Sequence, residues 1–424
     1  MKKGILSFIM LLLIIPMIAA CSSDDEQANA SGKDVVEIDF FHRWPNEPRK
    51  TFYNEKIEEY MDEHPNVKIN VNSVLNDSYK EKIKVLVSSN ELPDIFSSWS
   101  DSFASNLVSS GKIMPLDDVM SEDKEWSDQI LESQLSGFTF DDTIYGAPFT
   151  VDGKAFFYNK KIFEENNLEP PETFNELISV LDKLQQNGYE TPIVAGLSDK
   201  WVVSHFMGTI FQRILDPEVL EEDYNKETGE FTDPGYVEGL EAFQKLTSYM
   251  GDISTAINNE EARNMFSSGE VPISYSQFAE FRMVQEGGDV DFDFFDFPAF
   301  KDGKGDPKAL TGAPEGWMLS ENAPPEAVDF LKFLTSEETA FEFTKKDGQL
   351  NAIKGAVTEE NTSDIGLRAY KLITDASKTA PWFDNAVDIN VADVFMRGGQ
   401  SLATNQKTPE EVMNEVQKTA QELK

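Results

Sequence analysis

The sequence predicts an α/β protein with two domains. Patterns typical of strands and helices alternate between Val35 and Phe96, and a second α/β stretch begins near Lys154. Such alternation is typical of a mainly parallel sheet that is covered by helices. About 390 residues follow a polar N-terminal segment, and this length exceeds what one ordinary hydrophobic core accommodates.

The first α/β stretch contains three predicted strands separated by two predicted helices. Residues 35–41 and 67–71 alternate apolar and polar side chains, at least in part, and are rich in β-prone residues. Residues 93–96 are similar to a short buried strand. Residues 51–63 and 79–88 have the sequence patterns of helices that cover such a sheet.

The second stretch begins with a predicted strand over residues 155–158 and continues with the clearest helix of the chain. Thr173 and Glu176 fit a capping box, in which each side chain satisfies the other residue's exposed backbone N–H. Apolar residues then recur on one face up to Gln186. Two further helices are predicted, one over residues 330–343 and one from about Pro409 onwards.

The N-terminal residues predict export and a lipid anchor. Two lysines precede an apolar run that is shorter than the roughly 20 residues of a membrane-spanning helix. Small residues follow, as in a secretory signal, so residues 1–20 are the predicted signal peptide. Residues 18–21 resemble the bacterial lipobox, which implies that Cys21 is lipidated. The alternative is an ordinary cleavage site that happens to precede a cysteine.

Residues 21–33 are polar and poor in large apolar side chains, so they predict a flexible, lipidated tether. With a lipid on Cys21, we expect the protein at the extracellular face of the cell membrane. A tether of this kind suits a Gram-positive bacterium, which has no outer membrane to retain a free receptor. Because Cys21 is the only cysteine, no intramolecular disulfide can form.

The net charge of -39 limits the partners of the chain. A surface this acidic repels phosphate backbones and anionic lipid headgroups. We therefore expect no nucleic-acid partner and no contact with the membrane except through the lipid anchor. The charge is compatible with a neutral or a cationic ligand.

Metal and cofactor sites are not predicted. The three histidines include no pair at the i, i+4 spacing of a zinc helix. Asp289, Asp291 and Asp293 alternate as in a calcium loop, but the sixth position is Phe294 instead of glycine, so we predict a strand with one wet face. The chain also lacks a phosphate-binding loop and the G-x-S-x-G motif of acyl transfer.

Tryptophans near turn signals are the most informative candidates for a binding site. Trp44 and Trp99 stand close to the ends of predicted strands, and Trp317 and Trp382 follow short proline-containing segments. Residues at the carboxyl ends of strands line the ligand crevice of open α/β sheets. A flat apolar ring with a polar edge suits a sugar, although any single tryptophan can equally fill a core.

Several segments, taken in order, resemble the family 1 extracellular solute-binding proteins that serve carbohydrate ABC importers. They contain matches to that family's L-P-D-I-F strand, its G-K-L-x-P-L-D-D segment, its strand and helix around F-Y-N-K-K-I-F, and its G-W strand with the following helix. The matching segments are Leu92–Phe96, Gly111–Asp118, Ile144–Phe149, Phe157–Phe163, Asn167–Phe174, Thr311–Gly312 with Gly316–Ser320, and Ala327–Glu337.

The resemblance implies a two-lobed fold like that of the periplasmic binding proteins, with the ligand in the cleft between discontinuous lobes. Lobe 1 would comprise residues 34–150 plus 296–347, and lobe 2 residues 151–295 plus 348–424. The protein would be a monomer without catalytic activity, which captures a neutral oligosaccharide and delivers it to the permease subunits. The alternatives are a surface glycoside hydrolase or lyase with an acidic pair, and a binding protein for a peptide or polyamine.

Ten candidate ligand-binding residues follow from these considerations. Six are aromatic candidates for stacking, and four are polar candidates beside a crevice aromatic or at a predicted crossing between lobes. Two depart from the family: Tyr275 stands where relatives often have Gly-Ser-Trp, and Glu315 replaces part of a double glycine. The candidates are Trp44, Trp99, Trp201, Tyr275, Trp317 and Trp382, with Arg43, Asp152, Glu315 and Asp384.

Overall fold

The computed structural model describes residues 35–377 and 379–424. The predicted signal peptide, the lipidation site Cys21 and the predicted tether over residues 21–33 lie outside these ranges. Within the described ranges, no helix is both long enough and apolar enough to cross a membrane.

The described residues form thirteen strands. They are β1 (Val36–His42), β2 (Val67–Ser73), β3 (Ile95–Trp99), β4 (Thr139–Phe140), β5 (Thr143–Ile144), β6 (Ala147–Val151), β7 (Lys154–Asn159), β8 (Ile193–Val194), β9 (Ile273–Gln277), β10 (Phe292–Phe295), β11 (Leu310–Thr311), β12 (Pro314–Leu319) and β13 (Thr379–Ala380).

Nineteen α-helices accompany these strands in the described part of the chain. They are α1 (Arg49–Glu63), α2 (Asn76–Ser89), α3 (Asp101–Val108), α4 (Asp117–Glu122), α5 (Lys124–Ser127), α6 (Glu132–Leu135), α7 (Lys160–Glu165), α8 (Phe174–Gln186), α9 (Lys200–Ile214), α10 (Pro217–Tyr224), α11 (Gly235–Thr247), α12 (Asn259–Ser267), α13 (Phe281–Gly287), α14 (Pro325–Leu334), α15 (Glu337–Asp347), α16 (Asp364–Asp375), α17 (Phe383–Ala386), α18 (Ile389–Ala403) and α19 (Pro409–Leu423).

Two larger sheets organise the fold, and both are mixed. The first has the order β2-β1-β3-β12-β6, in which β12 runs antiparallel to both neighbours and the other pairs are parallel. The second has the order β10-β7-β9-β8, in which β7 runs antiparallel to both neighbours. Each sheet thus contains one reversed strand, so the expectation of mainly parallel sheets describes the directions of most strands but not the pairing, in which two of four pairs and two of three pairs are antiparallel.

The antiparallel strands follow from the edge at which the chain enters each sheet. Glu315, near the start of β12, pairs with Trp99 at the end of β3. Lys154, the first residue of β7, pairs with Gln277 at the end of β9. Each entering strand begins where its neighbour ends, so the two run in opposite directions. The periodicity of a sequence does not reveal the edge at which a strand enters.

Each sheet carries a hydrophobic core on both faces. In β1, Phe40 and Phe41 belong to two different buried clusters on the first sheet. In β7, Phe156 and Phe157 belong to two different clusters on the second sheet. Successive strand residues point to opposite faces, so a strand buried on both faces has a continuous apolar run.

Within residues 35–377 and 379–424, the chain passes between the two sheets three times. The first passage is only two residues long, Asp152 and Gly153, between β6 and β7. The second covers residues 296–313, from β10 to β12. The third covers residues 348–363 and leads from α15, packed on the first sheet, to α16, packed on the second.

The predicted helix over residues 330–343 is two helices. α14 ends at Leu334, and α15 begins at Glu337. Between them, the hydroxyl oxygen of Ser336 accepts a hydrogen bond from the backbone N–H of Thr339 at 3.3 Å and so caps α15. Serine favours such N-cap positions because its side chain replaces a missing backbone acceptor.

The predicted helix after Thr173 is confirmed as α8 and supplies a test of its cap. Thr173 Oγ1 accepts the backbone N–H of Glu176 at 3.3 Å, and Glu176 Oε2 accepts that of Thr173 at 3.1 Å.

We expect Thr173→Ala to lower the free energy of unfolding by about 1 kcal/mol, because one helix donor loses its acceptor. Urea unfolding followed by circular dichroism measures the change. Thr173→Ser keeps the hydroxyl, and an equal loss in both variants would contradict the capping argument.

Candidate functional site

A cavity of about 220 Å³ brings together residues from elements of both sheets, and we call it the tryptophan cavity. Three tryptophan rings line it, together with charged, histidine and amide side chains. Three larger hollows, each of about 440 Å³, contain no tryptophan. The tryptophan cavity is lined by Arg43, Lys80, Trp99, Trp201, His205, Gln277, Glu315, Trp382, Asp384 and Asn385.

Strand ends and one long helix position most of the cavity wall. Arg43 directly follows β1, and Trp99 is the last residue of β3. From the second sheet, Gln277 is the last residue of β9, and Trp201 and His205 lie four residues apart on α9. Residues four apart on a helix are neighbours on its surface, so both rings face the same space.

Two cations surround Trp99 on the first-sheet side of the cavity. The guanidinium of Arg43 lies 4.1 Å from the centroid of the Trp99 ring, and the ammonium of Lys80 lies 4.8 Å from it. Arg43 also forms an ion pair with Glu315. Cations are attracted to the face of an indole ring, so these contacts hold Trp99 in one orientation.

Three aromatic rings form the opposite wall. The rings of His205 and Trp382 are stacked, with centroids 4.0 Å apart and an interplanar angle of 19°. The ring of Trp201 lies 5.0 Å from that of His205. This wall presents flat, mostly apolar surface, whereas the wall around Trp99 is charged.

A buried lysine supports the aromatic wall from behind. Lys154 is 1% exposed, and its Nζ lies 3.2 Å from Nδ1 of His205. An ammonium group can only donate, so Nδ1 accepts and the ring proton of the neutral imidazole is on Nε2. Burial lowers the pKa of His205 well below its usual range, which keeps the ring neutral, and burial lowers the pKa of Lys154 to about 8.

Asp384 connects the two walls. Its Oδ1 accepts a hydrogen bond from the Ser204 hydroxyl at 2.7 Å, and its backbone N–H donates to the same hydroxyl at 2.9 Å. Its Oδ2 lies 4.0 Å from the ammonium of Lys80. Lys80 belongs to α2, which packs on the first sheet, whereas α17 and α9 pack on the second. This ion pair therefore joins elements of both sheets across the cavity.

Asp152 does not line the tryptophan cavity but bonds to Gln277, which does. Its Oδ2 accepts a hydrogen bond from Nε2 of Gln277 at 2.8 Å, and its Oδ1 accepts the backbone N–H groups of Gly153 at 2.8 Å and Ala279 at 3.1 Å. Burial raises the pKa of Asp152 to about 7, although both backbone bonds oppose this shift. Asp152 touches the cavity through Gln277.

Three other predicted residues lie outside the cavity wall. Trp317 is 1% exposed and packs in the core of the first sheet, within 5.7 Å of the ring of Trp44. Trp44 is half-buried and stacks on Tyr53. Tyr275 is 1% exposed in the core of the second sheet, and its hydroxyl bonds to that of Thr209 at 2.7 Å. The cavity thus brings together six of the ten predicted residues.

Four cavity residues were absent from the sequence-based candidates. They are Lys80, His205, Gln277 and Asn385. His205 and Asn385 stand four and three residues after the candidates Trp201 and Trp382, so helical spacing from those tryptophans could have found them. Gln277 is the last residue of β9, the strand that contains the candidate Tyr275. Lys80 had no such signal, because its contact with Trp99 depends on how α2 packs.

Comparisons with known proteins agree with this architecture. The family model of the bacterial extracellular solute-binding proteins matches residues 44–341, which is more than half of the chain. An uncharacterised ABC transporter extracellular-binding protein of Pyrococcus horikoshii is 25% identical over 374 residues, covering 86% of this chain and 83% of the relative. A multiple sugar-binding protein of Streptococcus mutans is 22% identical over 395 residues, covering 85% and 84%.

A solved structure described as a chitin oligosaccharide binding protein has the same fold. It is similar with a TM-score of 0.82 and 23% sequence identity, and the match covers 92% of this chain and 99% of that chain. The predicted fold class, a two-lobed α/β fold of the solute-binding type, is confirmed.

The buried Lys154 predicts a pH dependence of stability. Between pH 8 and 10.5 the native state has lost the Lys154 proton that the unfolded chain still binds, so stability should rise with pH relative to a chain without this amine. We expect the difference in unfolding free energy between wild type and Lys154→Met to shift in favour of wild type by about 3 kcal/mol across this window. Urea unfolding at pH 7.5, 9 and 10.5 measures it. A difference that is independent of pH would contradict the burial argument.

Proposed function

The chain belongs to the family of bacterial extracellular solute-binding proteins, and from that premise we propose that it captures a neutral oligosaccharide for an ABC importer. It binds the sugar outside the cell, makes and breaks no bond, and presents the complex to the permease subunits. The observation that carries this proposal is the tryptophan cavity, whose indole rings come from elements of both sheets. The name of the Streptococcus mutans relative, a multiple sugar-binding protein, supports the same ligand class.

The chemistry of the cavity suits a sugar. The C–H face of a pyranose ring is apolar and packs on an indole ring, while its hydroxyl groups need hydrogen-bonding partners. Glu315 and Asp384 supply carboxylate oxygens at the cavity, and charge-assisted hydrogen bonds are the stronger ones. The cavity therefore combines apolar rings with hydrogen-bonding carboxylates, which suits a ligand that has both apolar and polar faces.

The charge pairs favour a neutral ligand. Arg43 pairs with Glu315, and Lys80 lies near Asp384, so each acid that lines the cavity has a cation beside it. A polyamine would have to compete with these cations for the carboxylates. A neutral sugar can bond to the pairs without displacing either member.

The same pairing disfavours the hydrolase alternative. Glycoside hydrolysis uses two carboxyl groups across the scissile bond, one of which must donate a proton. Both acids that line the cavity are engaged by cations. Asp152, whose pKa is raised to about 7, bonds to Gln277 and to two backbone N–H groups.

Two lobes that close on the ligand would form the cleft, with lobe 1 over residues 34–150 plus 296–347 and lobe 2 over residues 151–295 plus 348–424. A ligand that bridges both lobes stabilises the closed form, because only that form makes both sets of contacts. The hydrophobic clusters support this division, since α2 packs on the first sheet and α17 on the second. The ion pair between Lys80 and Asp384 would then link the two lobes. The protein acts as a monomer.

Ligand binding should change tryptophan emission and raise the melting temperature. The probes are xylotriose, maltotriose, raffinose and chitotriose, and the bound sugar should be recovered intact. We expect Trp201→Ala and Trp382→Ala to weaken binding by roughly tenfold or more, because each removes a flat face of the cavity.

The control is Trp126→Phe. Trp126 lies in the core of the first sheet, where its Nε1 donates to Thr335 at 2.8 Å, so this variant should bind as wild type does. Shortened sugar products would support the hydrolase alternative. A response to polyamines or peptides but to no sugar would refute the carbohydrate assignment.

Cys21 carries the proposed anchor, which holds the protein to the extracellular face of a Gram-positive cell membrane. One acyl chain binds a membrane only marginally, whereas two or more bind it stably. Cys21→Ser should therefore release the protein into the medium with its sugar affinity unchanged. Cell fractionation and immunoblotting measure the distribution, and a variant that stays with the membrane would contradict the anchor.

A further inference from the structure

The two ring nitrogens of His205 have different surroundings. Nδ1 lies 3.2 Å from Nζ of Lys154, a residue that is 1% exposed and does not line the tryptophan cavity. Nε2 forms no hydrogen bond to another described residue, and it is also not one of their side-chain atoms that are buried without a partner. Because His205 lines the tryptophan cavity, its Nε2 is the nitrogen that a ligand can reach.

Stacking alone does not determine which ring atom of His205 faces the cavity. The ring stacks on Trp382, with centroids 4.0 Å apart, and lies 5.0 Å from the ring of Trp201. These contacts fix the plane of the imidazole, but a half-turn about the Cβ–Cγ bond keeps that plane and exchanges each nitrogen with a carbon. The hydrogen bond at Nδ1 exists in only one of the two orientations, so it selects that orientation.

Lys154 is itself held in place. Its ammonium lies 5.1 Å from the centroid of the Trp201 ring and 5.1 Å from that of the Tyr275 ring, and among the described residues its only hydrogen-bonding partner is His205. Burial lowers the pKa of Lys154 to about 8, so at pH 6.5 the amine is mostly protonated and can only donate. It therefore requires an unprotonated Nδ1, which leaves the single proton of the neutral imidazole on Nε2.

We infer that Lys154 is a positioning residue, which makes His205 present its Nε2–H to the ligand as a hydrogen-bond donor. The inference rests on the proposed function, because it takes the tryptophan cavity as the sugar site. At this point the cavity would select an oxygen that accepts, such as a hydroxyl, ring or glycosidic oxygen. It would disfavour a group that can only donate, such as the ammonium of a polyamine.

A first test needs no ligand and measures the protonation of His205 by NMR. The chain has three histidines, so isotope-labelled histidine gives few ring signals, and His205→Phe identifies those of His205. At pH 6.5 we expect a protonated Nε2 and a hydrogen-bonded, unprotonated Nδ1 in the wild type. In Lys154→Met the Nδ1 signal should move towards that of a nitrogen without a hydrogen bond. A proton on Nδ1 in the wild type, or the same Nδ1 signal in both proteins, would overturn the inference.

The matched control is Lys56→Met. Lys56 is also a buried lysine, 2% exposed, but it pairs with Glu59 and Glu342 and does not line the tryptophan cavity. Its loss should leave the His205 signals and the sugar affinity as in the wild type. A control variant that changes the His205 signals as Lys154→Met does would also overturn the inference, because the change would not depend on the contact with Lys154.

A second test adds sugar at the same pH, with whichever of the four trisaccharides raises the melting temperature of wild type most. The Nε2 signal of His205 should shift on binding, because its proton gains an acceptor. In calorimetry, His205→Phe should bind roughly tenfold more weakly, the value of about one hydrogen bond, although its ring can still stack on Trp382. Lys154→Met should also bind more weakly, because the imidazole can then turn over.

The double variant Lys154→Met with His205→Phe separates positioning from a general structural effect. If Lys154 acts through His205, its loss should not weaken binding further once His205 is phenylalanine. Losses that multiply in the double variant would overturn the inference, and so would an Nε2 signal that bound sugar does not shift in the wild type, a measurement that needs no variant to fold. If none of the four sugars binds the wild type, the proposed ligand class fails, and the ligand-free spectra still decide whether Lys154 orients His205.

Discussion

The two-residue passage of Asp152 and Gly153 between β6 and β7 is the constraint on which the site depends. A side chain has no room at this point: a Cβ on Gly153 would lie 2.8 Å from the ring of Phe278, and one on Gly312 would lie 2.1 Å from the carbonyl oxygen of Asp152. Two crossing segments therefore pass in direct contact. Because the passage is so short, the strand ends of both sheets must stay close together, and the tryptophan cavity lies where they meet.

This close passage also concentrates ionisable groups in a buried place. Asp152 and Lys154 flank Gly153 in sequence, both are nearly inaccessible, and their pKa values shift towards each other, to about 7 and about 8. Burial of a charge is costly unless bonded partners compensate for it. The partners here line the tryptophan cavity, because Asp152 bonds to Gln277 and Lys154 to His205. The hydrogen bonds that compensate for burying Asp152 and Lys154 therefore also orient residues of the cavity wall.

Local sequence patterns predicted many of the strands and helices, but they failed where tertiary contacts determine a helix boundary or a strand direction. The capping box at Thr173 is a property of neighbouring residues, so the sequence alone was sufficient to place α8. The break between α14 and α15 was missed although residues 335–339 are all polar, because apolar residues on both sides of them favoured one continuous helix. Thr335 in this break accepts a hydrogen bond from Trp126, which is 209 residues away in sequence. The strand directions depend on how the chain crosses between the sheets, and the hydrophobic periodicity of the sequence does not reveal these crossings.

For the site, the reasoning from strand ends identified the right strands but not always the right residue on them. In β9 the cavity residue is Gln277 at the strand end, while the predicted Tyr275 stands two positions earlier, in the core. In β12 the cavity residue is Glu315 near the strand start, while Trp317 stands two positions further in. Two positions along a strand are about 6.6 Å, which is the difference between the rim of a sheet and its interior. An aromatic residue near a strand end therefore points to a cavity only when it occupies the terminal position, as Trp99 does in β3.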